Sequence, residues 1–131
     1  LRAAAALPTE AEWEKAARGA DGRLYPHGGV LTADDANYAA VGLRATSAVG
    51  VFPKSESPCG ALDMAGNVWE WTADDAGGGL GVVRGGSYDS AEVGVRCASR
   101  ATRPADMGGC GVGFRVVRRE HGERPDGAEG G

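Results

Sequence analysis

Residues 63–72, which read DMAGNVWEWT, are the most informative part of the chain. Two tryptophans, Trp69 and Trp71, flank the acidic residue Glu70. Successive side chains of an extended strand point to opposite faces, so both indoles would share one face and Glu70 would occupy the other. Because aromatic side chains bury large apolar areas, we expect the two indoles to anchor a core.

The same residues offer oxygen ligands to a hard cation. Asn67 and Glu70 lie close together in the sequence, beside the conformationally free Gly66. Calcium is bound in proteins by carboxylate, amide and backbone carbonyl oxygens. Residues 63–72 therefore predict a calcium site whose side-chain ligands are Asn67 and Glu70.

Glycine content and one capped helix define the predicted fold class. The chain of 131 residues contains 23 glycines, which favours turns, loops and short strands over a helix bundle. One helix is indicated at residues 10–18, where Thr9 and Glu12 form a capping box and Gly19 provides the stop. We therefore predict an irregular, loop-rich α+β domain with one clear helix.

Strand patterns are concentrated in the second half of the chain. Residues 20–61 show apolar residues separated by glycine, aspartate and serine clusters, which is typical of loops with short extended pieces. Short runs rich in valine or aromatic residues then predict a small antiparallel sheet. The predicted strands are residues 68–72, 80–84, 93–99 and 113–118.

Charge and hydropathy argue against two classes of partner. The formal net charge is −4 and the basic residues are scattered, so the sequence predicts no nucleic-acid partner. No apolar run has membrane-spanning length and no signal-peptide pattern is present, so no membrane partner is predicted. A protein or peptide ligand is compatible with the sequence, whereas the compartment and the oligomeric state have no signal in it.

The two ends of the chain differ from its centre. The sequence begins at Leu1 without an initiator methionine, a few residues before the predicted helix, which suggests a truncated N-terminus. Residues 120–131 are charged, rich in glycine and almost free of apolar side chains. Burial in such a segment cannot offset the entropy of ordering it, so we predict a disordered tail there and a domain over residues 1–119.

Five motifs in order carry a family resemblance. They are LPTEAEWEKAARG at residues 7–19, DMAGNVWEWT at 63–72, RGGSY at 84–88, VRCASR at 95–100 and GVGFRVV at 111–117. Together they resemble the sulfatase-modifying-factor family, whose best-known members are the formylglycine-generating enzymes. The resemblance implies an irregular C-type-lectin-like fold, and it implies that family elements preceding the first motif are missing here.

The resemblance implies a copper(I) site made of two thiols five residues apart. Cys97 matches the second thiol, but Glu92 stands at the position of the first, so the pair is broken. Copper(I) is a soft ion that prefers thiolate ligands. For Cys97 we weigh packing and residual reactivity equally, since Arg96 and Arg100 would lower the pKa of its thiol if they point at it. The other two cysteines, Cys59 and Cys110, are expected to pack.

The resemblance also implies calcium ligands. It places Asn67 and Glu70 at one family site, together with the backbone carbonyls of Ala65 and Val68. Asn37 matches the first half of a second site, but the loop that follows it contains no acidic residue. We therefore predict that the second site is weakened or absent.

The RGGSY and GFRVV motifs are assigned structural roles. Gly85 and Gly86 are expected to supply positive φ or a close backbone approach. Arg84, Arg96 and Arg115 lie in or beside predicted strands, where guanidinium groups can bridge carbonyls and carboxylates. We therefore expect a partly buried network of arginines.

Three functions are considered on this basis. The favoured one is a noncatalytic binding or accessory module, because the first thiol is missing. An alternative is an oxidoreductase that converts the cysteine of a Cys-x-Pro-x-Arg motif in a sulfatase to formylglycine. Another is a ligand-binding variable protein of a diversity-generating retroelement, a class with the same fold. The predicted ligand-facing side chains, all within residues 89–111, are Asp89, Glu92, Arg96, Arg100 and Arg103.

Overall fold

The computed structural model describes residues 4–119. Helix α1 spans Glu10–Arg18, which confirms the predicted helix. The capping box is formed as predicted. The Thr9 hydroxyl accepts the Glu12 N–H at 3.1 Å, and the Glu12 carboxylate accepts the Thr9 N–H at 2.9 Å. These bonds satisfy two backbone donors at the start of the helix and fix the position of Trp13, which the helix buries.

The described residues form six short strands in two sheets. They are β1 (Ala4–Ala6), β2 (Trp69–Gly77), β3 (Leu80–Arg84), β4 (Arg100–Pro104), β5 (Val112–Gly113) and β6 (Val117–Arg119). The larger sheet has the order β4-β3-β2-β5, and its pairs are antiparallel except for the parallel pair of β2 and β5. Strands β1 and β6 pair separately. The loop-rich α+β class is confirmed, but the sheet is not purely antiparallel.

Residues 93–99 do not form the predicted strand. The chain forms a 3₁₀ turn at Glu92–Val95, and the strand beside β3 begins later, at Arg100. Val95 and Cys97 lie in this irregular segment, and both are fully buried. The apolar pattern therefore reflects burial of single side chains from a turn and not the pairing of a strand.

The faces of β2 are the reverse of the prediction. Glu70 and Thr72 are each 5% exposed, whereas Trp69 and Trp71 are only partly buried. Glu70 faces helix α1, where Trp13 Nε1 donates a hydrogen bond to its carboxylate at 2.8 Å. The alternation of side chains was predicted correctly, but a hydrogen-bonded carboxylate and not a pair of indoles occupies the inner face.

The described residues form two apolar clusters that both include residues of the central motif. One contains Trp13, Ala17, Met64 and Cys97. The other contains Tyr25, Leu31, Ala36, Tyr38, Ala65 and Val95. Because Met64 and Ala65 are consecutive, the motif contributes to both clusters.

In residues 4–119, no helix is long and apolar enough to cross a membrane.

Three glycines let the central motif approach two other backbone segments. The Gly66 N–H donates to the Gly85 carbonyl, and the Asn67 N–H donates to the Asn37 carbonyl, each at 2.8 Å. Gly66 has a φ of 74°, and a Cβ built on it would lie 2.2 Å from the Asn37 carbonyl oxygen. Gly85 and Gly86 also adopt positive φ, directly after β3, which confirms the role predicted for them.

Candidate functional site

Cys97 lies in the core and not on a surface. Its side chain is 0% exposed, and its backbone N–H donates to the Leu24 carbonyl at 2.8 Å. Burial raises the pKa of the Cys97 thiol, and Arg18 at the end of α1 opposes this with a smaller effect. Arg96 and Arg100, the predicted neighbours, are both exposed and do not contribute to this shift. The thiol is therefore protonated at neutral pH.

The residues around Cys97 do not fit a copper(I) dithiolate. Glu92, at the position of the first thiol, is exposed on a 3₁₀ turn and offers a hard oxygen ligand. Cys59 and Cys110 are exposed and free, so the expectation that they pack was wrong. The Cys59 thiol donates to the Ala16 carbonyl at 3.4 Å. A soft ion would therefore find one buried, protonated sulfur at Cys97, and we derive no chemistry through copper.

Arg84 connects the cysteine segment to the helix. Its guanidinium donates to the carboxylates of Glu10 and Glu14 and to the carbonyls of Cys97 and Ser99. The Arg84 side chain is 4% exposed, so these four acceptors replace its hydration. This network is the structural role that was expected of the arginine in RGGSY.

Glu10 is shared by two arginines. Arg100 donates to both of its carboxylate oxygens, at 2.8 and 3.0 Å, and Arg84 donates at 3.1 Å. Burial raises the pKa of Glu10, but the hydrogen bonds and positive charges of the arginines together lower it below its usual value. The group therefore contributes stability at neutral pH that is lost as the pH falls through the lowered pKa.

Glu70 forms a second charged cluster with Arg115. Arg115 donates to its two carboxylate oxygens at 2.7 and 3.0 Å and to the Leu62 carbonyl at 2.9 Å. The Trp13 indole donates to the same carboxylate. Glu70 and Arg115 line an open cavity of about 390 Å³, which Asp63 also lines. Asp63 was not among the predicted site residues, although it begins the motif that decided the fold.

Asp63 and Glu70 are the carboxylates in this cavity that would hold a hard cation, and Arg115 already pairs with Glu70 there. Asp63 Oδ2 accepts the Gly50 N–H at 2.8 Å, and Glu70 Oε2 accepts a single hydrogen bond, so each carboxylate keeps lone pairs for a ligand. Val68 lines the same cavity, whereas Ala65 is 4% exposed in the core. In residues 4–119 no group of three or more histidine, cysteine or acidic side chains is arranged around one metal position.

Asn67 and Asn37 are held in one hydrogen-bonded cluster. Asn67 Oδ1 accepts the Ser47 N–H at 2.9 Å, the Ser47 hydroxyl at 3.3 Å and Asn37 Nδ2 at 3.4 Å. Its oxygen is therefore used structurally, and its role as a calcium ligand stays a prediction. Asn37 Oδ1 is buried without a hydrogen-bond partner in the described part of the chain, and the second calcium site likewise stays a prediction.

The predicted ligand-facing residues do not share one cavity. Glu92 and Arg96 line a surface cleft of about 470 Å³ that also contains Arg23 and Tyr25. Arg100 lies beside helix α1 and pairs with Glu10. Arg103, on β4, has its guanidinium next to Gly109, and Asp89 accepts the Ser87 hydroxyl within its own turn. The structure therefore brings together only Glu92 and Arg96 of the predicted set.

Similar proteins include both active and inactive members of one family. Mouse inactive C-alpha-formylglycine-generating enzyme 2 is 36% identical over 130 residues, covering 85% of this chain and 42% of that protein. Mouse formylglycine-generating enzyme is 32% identical over 144 residues, covering 85% of this chain and 38% of that protein. The chain therefore spans about two-fifths of the length of these curated relatives.

The fold is shared with solved structures of the same type. Treponema denticola variable protein 1 superposes with a TM-score of 0.70 and 28% identity, covering 86% of this chain and 46% of that one. The sequence profile of the sulfatase-modifying factor enzyme 1-like domain matches residues 2–120. This match and the likeness to the formylglycine-generating enzymes show that the chain belongs to the sulfatase-modifying factor enzyme 1-like family.

Proposed function

We propose that this chain is a noncatalytic binding or accessory domain of its family. The observation that carries the proposal is the state of Cys97, which is fully buried, has a raised thiol pKa and lies five residues after a glutamate. A nucleophilic cysteine must be accessible and reacts as the thiolate, and a metal-binding cysteine must be reached by the ion, which displaces its proton. Cys97 is 0% exposed and burial disfavours its thiolate, so we assign it the role of packing in the cluster of Trp13 and Met64.

Overall similarity does not decide between the two principal functions. The chain has nearly the same identity to an inactive mouse relative as to the active mouse enzyme. One fold can carry many functions, so the residues at the site must decide. They favour the noncatalytic function, while the likeness to a variable protein is compatible with a domain that binds ligands.

The cleft at Glu92 and Arg96 is the surface that we assign to a protein or peptide ligand. The Arg96 residue is exposed and its side chain has no hydrogen-bond or ion-pair partner among the described residues, whereas Arg23 is paired with Asp21. The Tyr25 hydroxyl donates to the Glu92 carbonyl at 3.2 Å and fixes the floor of the cleft. The unpaired guanidinium would receive an acidic side chain or a carboxylate of the peptide.

Incubation with a Cys-x-Pro-x-Arg peptide, copper(I) and oxygen tests the noncatalytic assignment. Because Cys97 is buried and has no partner thiol at position 92, we expect no conversion of the peptide cysteine to formylglycine by mass spectrometry. A formylglycine-generating enzyme treated in parallel shows that the assay works, and circular dichroism shows that the chain is folded. Conversion that disappears in Cys97→Ser would establish the oxidoreductase alternative.

We also propose that Asp63 and Glu70 bind calcium in the cavity that they share. At a hundredfold excess of calcium over its Kd, binding would stabilise the fold by about 2.7 kcal/mol, so the melting temperature should rise with calcium concentration. Asp63→Asn should lose this rise, because the asparagine oxygen can still accept the Gly50 N–H but carries no charge.

The matched control for the calcium experiment is Asp34→Asn, which removes one exposed carboxylate elsewhere. We expect it to retain the calcium-dependent rise in melting temperature. A melting temperature that does not respond to calcium, or that responds equally in wild type and Asp63→Asn, would refute this site.

A further inference from the structure

A second cavity lies near the turn of the β2–β3 hairpin, and none of the described residues that line it also lines the Asp63 cavity. It has a volume of about 450 Å³. Its walls include an indole, two carboxylates and two leucines, namely Trp71, Asp74, Asp75, Leu7 and Leu80. We call it the hairpin cavity. Neither the cysteine segment nor the proposed calcium site uses any of these side chains.

The indole of Trp71 forms a fixed platform in the hairpin cavity. A Cβ built on Gly81 would lie 2.8 Å from Trp71 Cζ3, so the ring rests against the backbone of β3. The Trp71 side chain remains partly exposed. Tryptophan is the aromatic residue that attracts cations most strongly through its ring face. A held and accessible indole therefore favours a cationic group over a purely apolar one.

The two carboxylates are each oriented by one backbone donor. Asp74 Oδ1 accepts the Glu10 N–H at 2.7 Å, and Asp75 Oδ1 accepts the Gly77 N–H at 2.7 Å. The second oxygen of each carboxylate accepts no hydrogen bond from the described residues, so it remains available to a ligand. Two fixed carboxylates beside an indole are complementary to a planar group with several N–H donors.

Among residues 4–119, no basic side chain neutralises this charge from within the cavity. The described residues that line it include no lysine, arginine or histidine. Arg100 interacts with Asp74 at longer range but donates its hydrogen bonds to Glu10, and the Arg103 guanidinium lies next to Gly109. The Thr72 hydroxyl, which also lines the cavity, donates to the Val82 carbonyl. The described lining of the cavity thus presents mainly hydrogen-bond acceptors and carries the negative charges of two carboxylates.

We propose that the hairpin cavity binds the guanidinium group of an arginine side chain from a peptide partner. A guanidinium is planar, so it can stack on Trp71 while its N–H groups reach Asp74 and Asp75. An ammonium group carries its charge at one strongly hydrated point and lacks the planar face, so lysine fits less well. This site is independent of the ligand cleft at Glu92 and Arg96 and of the noncatalytic assignment.

Titration of the intact chain with short capped peptides tests the site. The probes are acetyl-Gly-Arg-Gly-amide, its lysine counterpart and its citrulline counterpart, which keeps the shape of arginine without the charge. The readout is the NMR shift of the Trp71 indole N–H, assigned with a Trp71→Phe variant. We expect saturable shifts with the arginine peptide, weaker binding of the lysine peptide and no binding of the citrulline peptide.

A pair of isosteric variants separates this site from general attraction to an acidic protein. Asp75→Asn should weaken the affinity for the arginine peptide about tenfold, because a charge-assisted hydrogen bond to the guanidinium is lost. The asparagine oxygen can still accept the Gly77 N–H, so the turn should keep its shape. Asp34→Asn, which removes the same charge elsewhere, should leave the affinity unchanged. Equal binding of the arginine and citrulline peptides, equal weakening by both variants, or no indole shift with any peptide would each overturn the proposal.

Discussion

Replacing Gly66 with alanine should lower the free energy of unfolding by at least about 3 kcal/mol. Gly66 has a φ of 74°, which an alanine adopts only with strain, and the new Cβ would lie 2.2 Å from the Asn37 carbonyl oxygen. That oxygen cannot easily move, because it accepts the Asn67 N–H at 2.8 Å. Urea denaturation followed by circular dichroism measures the loss.

Gly22→Ala is the matched control for the strain at Gly66. Gly22 has a φ of 71°, but no atom lies within 4 Å of a Cβ built on it. It should therefore show only the cost of the left-handed backbone, about 1 kcal/mol. If both variants lost the same free energy of unfolding, the close approach of the Gly66 and Asn37 backbones would be contradicted.

Replacing Arg84 with methionine should cost about 3–5 kcal/mol of unfolding free energy, the usual effect of removing one partner from a buried charged network. Methionine keeps the length of the aliphatic stem but leaves the Cys97 and Ser99 carbonyls without the guanidinium that they share. Glu10 and Glu14 also lose Arg84 as a donor and keep only their more exposed partners, Arg100 and Arg18. The same urea titration measures the effect, and Cys97 should become accessible to alkylation at lower urea concentrations than in the wild type.

Arg100→Met serves as the comparison for Arg84→Met. Arg100 also pairs with Glu10, but its side chain is 56% exposed, and exposed ion pairs contribute little to stability. We expect only a slight loss. Similar losses in the two methionine variants would show that the buried contacts of Arg84 to the cysteine segment do not stabilise the fold.

Local signals made part of the fold predictable from sequence. The capping box at Thr9 and Glu12 depends on contacts three residues apart, so it specified the start of α1 correctly. Strand β3 was predicted with its observed bounds, Leu80–Arg84, because a valine-rich run lies between glycine-rich turns. The C-type-lectin-like fold followed from five motifs in order, and the family match and the structural likeness confirm it.

Long-range contacts explain what the sequence did not reveal. The face of β2 that carries Glu70 is buried because Trp13, 57 residues earlier, and Arg115, 45 residues later, both donate to its carboxylate. A cation that lowers the pKa of the Cys97 thiol is Arg18 from α1, although Arg96 is the neighbour of Cys97 in sequence. Such pairs depend on how helix and sheet pack, and no local pattern encodes them.

The sequence indicated which residue types would line the candidate site but not which residues would come together there. Oxygen ligands near residue 70 were expected, and the structure adds the Asp63 carboxylate to the cavity there. Asp63 could have been found from its acidic side chain at the start of the motif, four residues before Asn67. Its positive φ of 59°, which turns the backbone at that point, has no clear sequence signal.

Binding of copper(I) tests the central claim most directly, because the noncatalytic assignment depends on the buried, unpaired thiol of Cys97. A chain with Cys59→Ser and Cys110→Ser, in which Cys97 is the remaining cysteine, would be titrated against a chromophoric copper(I) chelator. We predict that the folded chain removes no copper from the chelator. Uptake of one copper per chain that disappears when Cys97 is also replaced by serine would contradict the account.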